Sequence, residues 1–485
     1  MKFNFKLELF WWLLGELSLV MAALLVVPIA GGLWWGESEF SFFIAPAIFS
    51  MALGFLLCYL GRQHKRGLTL REGVLFMVLV WFFLAFIGML PYAACGMDMV
   101  AAFFEAMSAL TTTGLTAMSF SRAELSRSLM LWHSLLTWLG GLGFMVMVVT
   151  IIPQVSGCFG VTLQARQLMF FSPVWNKMLT SIKQGVALYF LGTSLAVGLF
   201  FLAGVSPFTA LILALTTVAT GGSVMGAFLW QDNLALEMAG ALVMLLSGCN
   251  LLLAYKAWSR RTFSLWLKDT ELRIFILLVL AAGLAVSLNL FLSDTYTFKD
   301  SLRYGFFQAI SFSTTNGYAS APFWEWQDFS KCILLLLSLA GGCMGSAAGG
   351  FKIIRLIVIA RMSLAELKRT LHPRMVLSIR LDGVPVPPKI MSRILAFFFL
   401  YAGVLIIFSS ILALAGISPL AAIGLAAGCL TSTGGTAAMF GIGSLAGFPA
   451  WAQLVAAFLM VLGRVEIFSF LVLAQMIIKR NRQWI

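Results

Sequence analysis

Runs of about 20 consecutive apolar residues, each long enough to cross the hydrocarbon core of a bilayer as a helix, recur from one end of this chain to the other. They constrain the fold more than any other feature. In lipid every backbone polar group must find a partner inside the structure, so such runs become helices packed on helices. The runs predict ten spans, near residues 7–30, 40–61, 73–95, 130–152, 184–204, 235–256, 273–293, 331–360, 391–416 and 450–478. Only 11% of the 485 residues are charged, against about 25% in a soluble domain. The longest polar connections, 259–273 and 361–393, are too small to bury a core. The N-terminal apolar stretch is too long for a secretory leader and carries Glu16, so it reads as the first span. The seven cysteines form no CxxC pair and sit in or beside apolar runs, as small buried side chains do. The three histidines are scattered, which argues against a zinc site.

A net charge of +13 would suggest nucleic acid in a soluble protein. Here the charge sorts by side. With a cytoplasmic N-terminus, nearly all of the 32 Lys and Arg residues fall inside. Arg122, Arg127, Lys299, Arg303 and Lys331 fall outside, and Arg464 lies within a span. The positive-inside rule therefore puts both termini in the cytoplasm. Acidic residues lean outward, Glu37, Asp98, Glu105, Glu237 and Asp300 among them. A negative outer vestibule concentrates cations, although solvated loops can be acidic for no such reason.

Four further apolar segments, near 99–111, 207–218, 300–313 and 418–430, are too short to span and read as re-entrant helices entering from outside. Each runs directly into a Thr/Gly turn: "ALTTTGLTAM" at 109–118, "TVATGG" at 217–222, "STTNGY" at 313–318 and "LTSTGG" at 430–435. The repeated order is span, short helix, turn, span. It predicts an all-α integral membrane protein with ten transmembrane helices and four re-entrant pore helices. The four repeats are pseudo-symmetric and follow two extra N-terminal spans. The expected boundaries are 1–67 for the extra spans and 68–160, 161–262, 263–375 and 376–485 for the repeats.

One such turn could be an ordinary helix C-cap. Four of them, all after short apolar helices and all on one side, point to a pore. Irregular backbone at membrane depth is tolerated where it lines a wet cavity, and its carbonyls can replace the water around a dehydrated potassium ion. Glycine permits the backbone angles required. The candidate ion-contacting residues are Thr112, Thr113, Gly114, Thr220, Gly221, Gly222, Thr315, Asn316, Gly317, Ser432, Thr433 and Gly434. The fourth turn offers two adjacent glycines, so its register could run through Gly434 or Gly435. An anion pore would need Arg or Lys in these turns, and they contain none.

The eighth predicted span contains "SLAGGCMGSAAGGFKIIR". Gly341, Gly342, Gly345, Gly349 and Gly350 should break it midway, either as a mobile gate or as close packing through small residues. In the last span, Arg464 either repels cations or pairs with Glu466 to lock helix packing.

With these motifs in view, the chain resembles the TrkH/TrkG/KtrB superfamily of potassium transporters, and within it the bacterial TrkH-type branch. The "TTTG" turn, the "GGCMGSAAGGFKIIR" stretch, the "GR.E" of the last span and the two extra spans carry the resemblance, which covers essentially the whole chain. It implies one pore per subunit of a homodimer in the bacterial cytoplasmic (inner) membrane. It implies filter roles for Gly114, Gly222, Gly317 and Gly434. It also implies a gate around Gly341–Gly350 with Lys352, and a barrier role for Arg464. The transported ion would be potassium, since serine at the first filter glycine goes with sodium transport in plant relatives and this chain has Gly114. A cytoplasmic TrkA-type ring binding NAD(H) or adenine nucleotides would regulate the pore. This chain binds no cofactor by a P-loop or a GxGxxG motif, for it has neither. Three other readings compete with a uniporting potassium pore: a symporter coupled to protons or sodium, a sodium or non-selective cation transporter, and the potassium-binding subunit of an ATP-driven pump. A membrane-embedded enzyme would need clustered Asp or His, and none appears.

Overall fold

The computed structural model describes residues 7–62, 70–118, 126–150, 174–222, 230, 233–250, 253–254, 257, 261–372, 378–471 and 473. Arg122 and Cys158 lie outside the described residues. The first elements are α1 (Leu7–Trp35), α2 (Ser41–Leu60), α3 (Leu70–Gly88), the short α4 (Leu90–Ala94), α5 (Met99–Leu110) and α6 (Arg127–Thr150). Then come α7 (Val174–Leu202), α8 (Pro207–Val218), α9 (Leu234–Gly248), the short α10 (Phe263–Leu267), α11 (Thr270–Leu292) and α12 (Phe298–Ser313). The last are α13 (Asp328–Ala340), α14 (Ile353–Leu371), α15 (Pro388–Ala413), α16 (Pro419–Thr431), the short α17 (Gly435–Met439) and α18 (Ala450–Val465). A two-stranded hairpin, Arg380–Leu381 with Val384–Pro385, turns through Asp382 and Gly383, both at positive φ. Thr270 at the start of α11 donates its hydroxyl to Asp382 Oδ1, tying the hairpin to that helix.

Apolar side chains gain little by leaving lipid for one another, so helix contacts rest on close fit and hydrogen bonds. The α1–α2 hairpin shows both. Gly15 and Gly54 let the helices touch, and Ser18 Oγ donates to the Ser50 carbonyl at 2.7 Å. Deeper in, Trp132 of α6 is fully buried. Its ring meets Phe43 edge-on at 6.2 Å and its indole N–H donates to the Gly88 carbonyl at 3.1 Å.

The short helices α5, α8, α12 and α16 start alike. A polar side chain, Asp98, Ser206, Thr297 or Ser418, accepts from a backbone N–H of the first turn, and Pro207 and Pro419 take the first helical position in two of them. At 12 residues α5 and α8 reach only about 18 Å, well short of a bilayer core.

Three of the ten expected spans are interrupted, the eighth by the glycine-rich break that its sequence predicts. Among the described residues, seven helices are long and apolar enough to cross a membrane. The three others are shortened for local reasons. The predicted 235–256 helix is interrupted after Gly248, and helical backbone returns at 253–254 and 257. The predicted 331–360 helix is cut into α13 and α14 by the glycine-rich segment. The predicted 450–478 helix stops at Val465, where Glu466 takes φ +67.

Candidate functional site

The four Thr/Gly turns share one local geometry. In each, the residue two before the glycine lies in the left-handed region: Thr112, Thr220, Thr315 and Ser432, with φ of 56, 55, 58 and 56°. The next N–H reaches back to the helix. Thr113 N donates to the Ser108 carbonyl at 2.9 Å, Gly221 N to Thr216 at 3.0 Å, Asn316 N to Ser311 at 2.9 Å and Thr433 N to Gly428 at 2.9 Å. Each short helix thus closes with the reach-back bond of a C-terminal cap. The strained position is unexpected. Glycine was predicted to take the unusual angles, and Gly114 and Gly317 do so at φ 75 and 70°, but three threonines and a serine do so at all four turns. Left-handed backbone is an outlier for a β-branched residue, and strain of that kind concentrates at functional sites.

The glycines serve a different need. A Cβ on Gly114 would sit 2.7 Å from the Gly222 Cα, one on Gly222 would sit 3.1 Å from the Asn316 carbonyl oxygen, and one on Gly435 would sit 3.0 Å from the Gly317 carbonyl oxygen. Gly434 closes the circle, donating its N–H to the Thr113 carbonyl at 2.7 Å. The turns therefore meet in the cyclic order one, two, three, four, one, and the first and third face each other across the ring. The shared left-handed position also settles the fourth register, in which Gly434 corresponds to Gly114, Gly222 and Gly317, and Gly435 opens α17. Next to the ring is a cavity of about 170 Å³ lined by Gly114, Thr116, Gly317, Tyr318, Trp324, Gly434 and Ile442 among others.

Asn316, the departure from threonine in the third turn, makes the brace that its counterpart makes. Thr113 Oγ1 lies 2.9 Å from Thr111 Oγ1, and Asn316 Nδ2 donates to Thr314 Oγ1 at 3.0 Å. Tyr318 ties the third turn to α8 through its hydroxyl, 2.6 Å from Thr216 Oγ1.

Against this ring lies the glycine-rich segment, the irregular chain between Ala340 and Ile353. Gly349 N donates to Thr315 Oγ1 at 2.8 Å, so the segment touches the third turn directly. Cys343 N donates to the Gly248 carbonyl at 3.0 Å, and Met344 N to Glu271 Oε1 at 2.6 Å. Arg464 is 1% exposed, and its Nη1 donates to the Ala347 carbonyl at 2.9 Å. Its guanidinium carbon stands 4.0 Å over the Phe144 ring. Buried Lys352 stands 5.6 Å over the same ring and donates to the Ala348 carbonyl. The expected alternative pairing of Arg464 with Glu466 is not made. Glu466 binds Arg355 at 2.5 Å instead, and Arg464 Nε and Nη2 have no hydrogen-bond partner. Thus the candidate ion-contacting residues come together in one ring, and Gly349, Lys352 and Arg464 come together in the layer against it.

Two carboxylates expected in an acidic vestibule are instead buried. Glu237 is 3% exposed and is held by Arg303 at 2.7 and 3.0 Å. Glu105 is fully buried behind the first turn and faces His133 Nδ1 at 3.3 Å. Glu271, which holds the glycine-rich segment, was not picked out from the sequence. An acidic residue in the first turn of a strongly apolar run was its only signal.

A bundle of membrane-length helices closed around a ring of four carbonyl-bearing turns defines a polytopic membrane transport protein rather than an enzyme. The particular assignment follows from comparison. The family model for TrkH, cation transport protein, matches residues 39–484, and the chain belongs to that family. It is 31% identical over 480 residues to the Trk system potassium uptake protein TrkH of Vibrio parahaemolyticus, covering 95% of this chain and 97% of the relative. It is 29% identical over 478 residues to the Trk system potassium uptake protein TrkG of Escherichia coli, covering 95% and 96%. The crystal structure of the potassium transporter TrkH from Vibrio parahaemolyticus superposes with a TM-score of 0.85 at 29% identity, over 97% of this chain and 98% of that one.

Proposed function

We propose that this chain forms a potassium uptake pore in the bacterial cytoplasmic membrane, with the four Thr/Gly turns as a single selectivity filter. The observation that carries the reading is the ring itself: four turns with the same left-handed residue, the same reach-back bond and the same glycine offset, closed on one another. In this reading the turn carbonyls and threonine hydroxyls replace the hydration shell of potassium. Each short helix aims the partly negative end of its dipole at the ion. The glycine-rich segment is the gate beneath the filter, with Lys352 and Arg464 as its electrostatic barrier. The chain comprises ten spans and four re-entrant helices in four repeats, 68–160, 161–262, 263–375 and 376–485, after two extra spans in 1–67. Both termini face the cytoplasm. Two such chains form a homodimer with one pore each, and a TrkA-type ring that binds NAD(H) or adenine nucleotides controls the gate from the cytoplasm.

The test is Rb⁺ and Na⁺ flux into liposomes holding the purified protein, with the potential set by an ionophore, before and after the regulatory ring and its nucleotides are added. Saturable uptake that prefers Rb⁺ is expected. Equal entry of both ions would keep the pore and refute the filter. No flux under any of these conditions would refute the pore.

A further inference from the structure

The ring has four similar turns, but the first and third share a strut that the residues at the same place in the other two cannot make. Nine residues before the four glycines stand Glu105, Leu213, Gln308 and Leu425. All are buried in their short helices. Glu105 accepts the Ala117 N–H at 2.9 Å and the Thr116 hydroxyl at 3.0 Å, so α5 grips the strand that leaves the first turn. Gln308 does the same for the third. With its amide oriented to satisfy both neighbours, its oxygen accepts the Ser320 N–H at 3.2 Å and its nitrogen donates to the Tyr318 carbonyl at 2.8 Å. Ala117 and Ser320 each lie three residues after their glycine, so the two struts are equivalent. Leu213 and Leu425 have no polar group with which to make such a strut.

A second contact repeats the pattern. Six residues before the glycine, Ser108 Oγ donates to the Leu115 carbonyl at 2.6 Å and Ser311 Oγ donates to the Tyr318 carbonyl at 2.8 Å. The fourth turn has Gly428 there and makes no such bond; in the second, Thr216 bonds to Tyr318 of the third turn instead. The backbone follows the struts. Gly114 and Gly317 have φ of 75 and 70°, whereas Gly434 has φ −56° and Gly222 lies outside the left-handed region. The braced turns are the pair that face each other across the ring.

We propose that Glu105 and Gln308 are positioning residues for ion selection, acting through the struts that hold the first and third turns. The proposal rests on the pore reading above. A strut fixes where the outgoing strand sits, and with it the carbonyls of Leu115 and Tyr318 beside the glycines. An ion too small for the cavity is rejected only if the carbonyls do not collapse onto it, and a hydrogen-bonded strut resists that movement where a leucine does not. The other Glu105 oxygen faces His133 Nδ1 at 3.3 Å, and that nitrogen also lies 3.4 Å from the Tyr92 hydroxyl.

The experiment measures the Rb⁺ to Na⁺ permeation ratio of the full chain in liposomes for Glu105→Leu, Gln308→Leu, Glu105→Gln and Leu425→Met. The two leucine variants should each lower the ratio about tenfold, the size of one buried hydrogen bond. Glu105→Gln keeps the acceptor for Ala117 and should stay near the wild-type ratio, which separates the strut from the charge. Leu425→Met conserves volume at the equivalent position of the fourth turn, where Thr436 and not this side chain bonds across to the helix, and should leave the ratio unchanged. Ratios that stay at the wild-type value in folded leucine variants would overturn the proposal. So would an equal loss in Glu105→Gln or in Leu425→Met. If a leucine variant does not yield monodisperse protein, Ser108→Ala and Ser311→Ala carry the same test with the same expected direction. A wild type with no Rb⁺ preference would instead refute the filter reading, so the two failures are distinguishable.

Discussion

Thr112, Thr220, Thr315 and Ser432 hold left-handed backbone without being glycine, at a cost of order 1–2 kcal/mol each. The capping bond that follows each of them offsets part of this cost, and three of the turns then present three or four successive polar residues before the glycine, while in the second Thr220 stands alone between Ala219 and Gly221. The glycines themselves are not interchangeable. A side chain at Gly114 meets both a positive φ and the Gly222 backbone, whereas one at Gly222 meets only a carbonyl oxygen at 3.1 Å. Gly114→Ala should therefore destabilise the protein about 1–3 kcal/mol more than Gly222→Ala, read from thermal unfolding in detergent. Gly114→Ser should in addition raise Na⁺ relative to Rb⁺ flux, and an unchanged ratio would remove Gly114 from the proposed filter. Away from the ring, Arg303→Ala removes the cation that holds the buried Glu237 carboxylate. A loss of about 3 kcal/mol is expected, and Arg303→Ala with Glu237→Gln should recover part of it.

Among the helices, the informative ones are those that fail to be complete spans. α13 stops at Ala340 because Gly341 caps it at φ +71, and α18 stops at Val465. These two interruptions bring the glycine-rich segment and Arg464 to the same level, where the Ala347 carbonyl joins them. A hydrogen bond from a buried cation holds the segment in place. Arg464→Ala should raise Rb⁺ flux in the absence of any regulatory partner. Loss of folded protein, without a change in flux per folded molecule, would assign the arginine to packing instead. Gly349 is packed against the Thr431 carbonyl so closely that a Cβ has no room. Gly349→Ala should push the segment off the ring and increase flux in the same assay.

Taken together, the molecule needs no chemical step to move its ion if the proposed pore is correct. One charge crossing the membrane gains about 2.3 kcal/mol per 100 mV. A potential of 100 mV, inside negative, should then accumulate Rb⁺ about 50-fold at equilibrium, without accompanying proton or Na⁺ movement. Accumulation beyond that ratio, or a pH change inside the vesicles that tracks Rb⁺, would favour a coupled symporter. The length and apolarity of the runs were enough to predict a helical membrane protein. The capping residues and the Thr/Gly turns were enough to predict four short helices that stop inside it. Those features are local: run length measures membrane thickness, and a cap is decided within one helical turn. The glycine-rich break in the eighth run was legible too, but a single left-handed residue such as Glu466 inside an apolar run leaves no mark on hydropathy. Only the tertiary structure decided that the turns meet in a closed ring, that Gly434 takes the place equivalent to Gly114, Gly222 and Gly317 while Gly435 opens α17, that Arg464 binds a carbonyl while Glu466 binds Arg355, and that Glu105 and Gln308 brace the first and third turns. Those contacts join residues far apart along the chain, and no local preference encodes which distant backbone a buried side chain will reach.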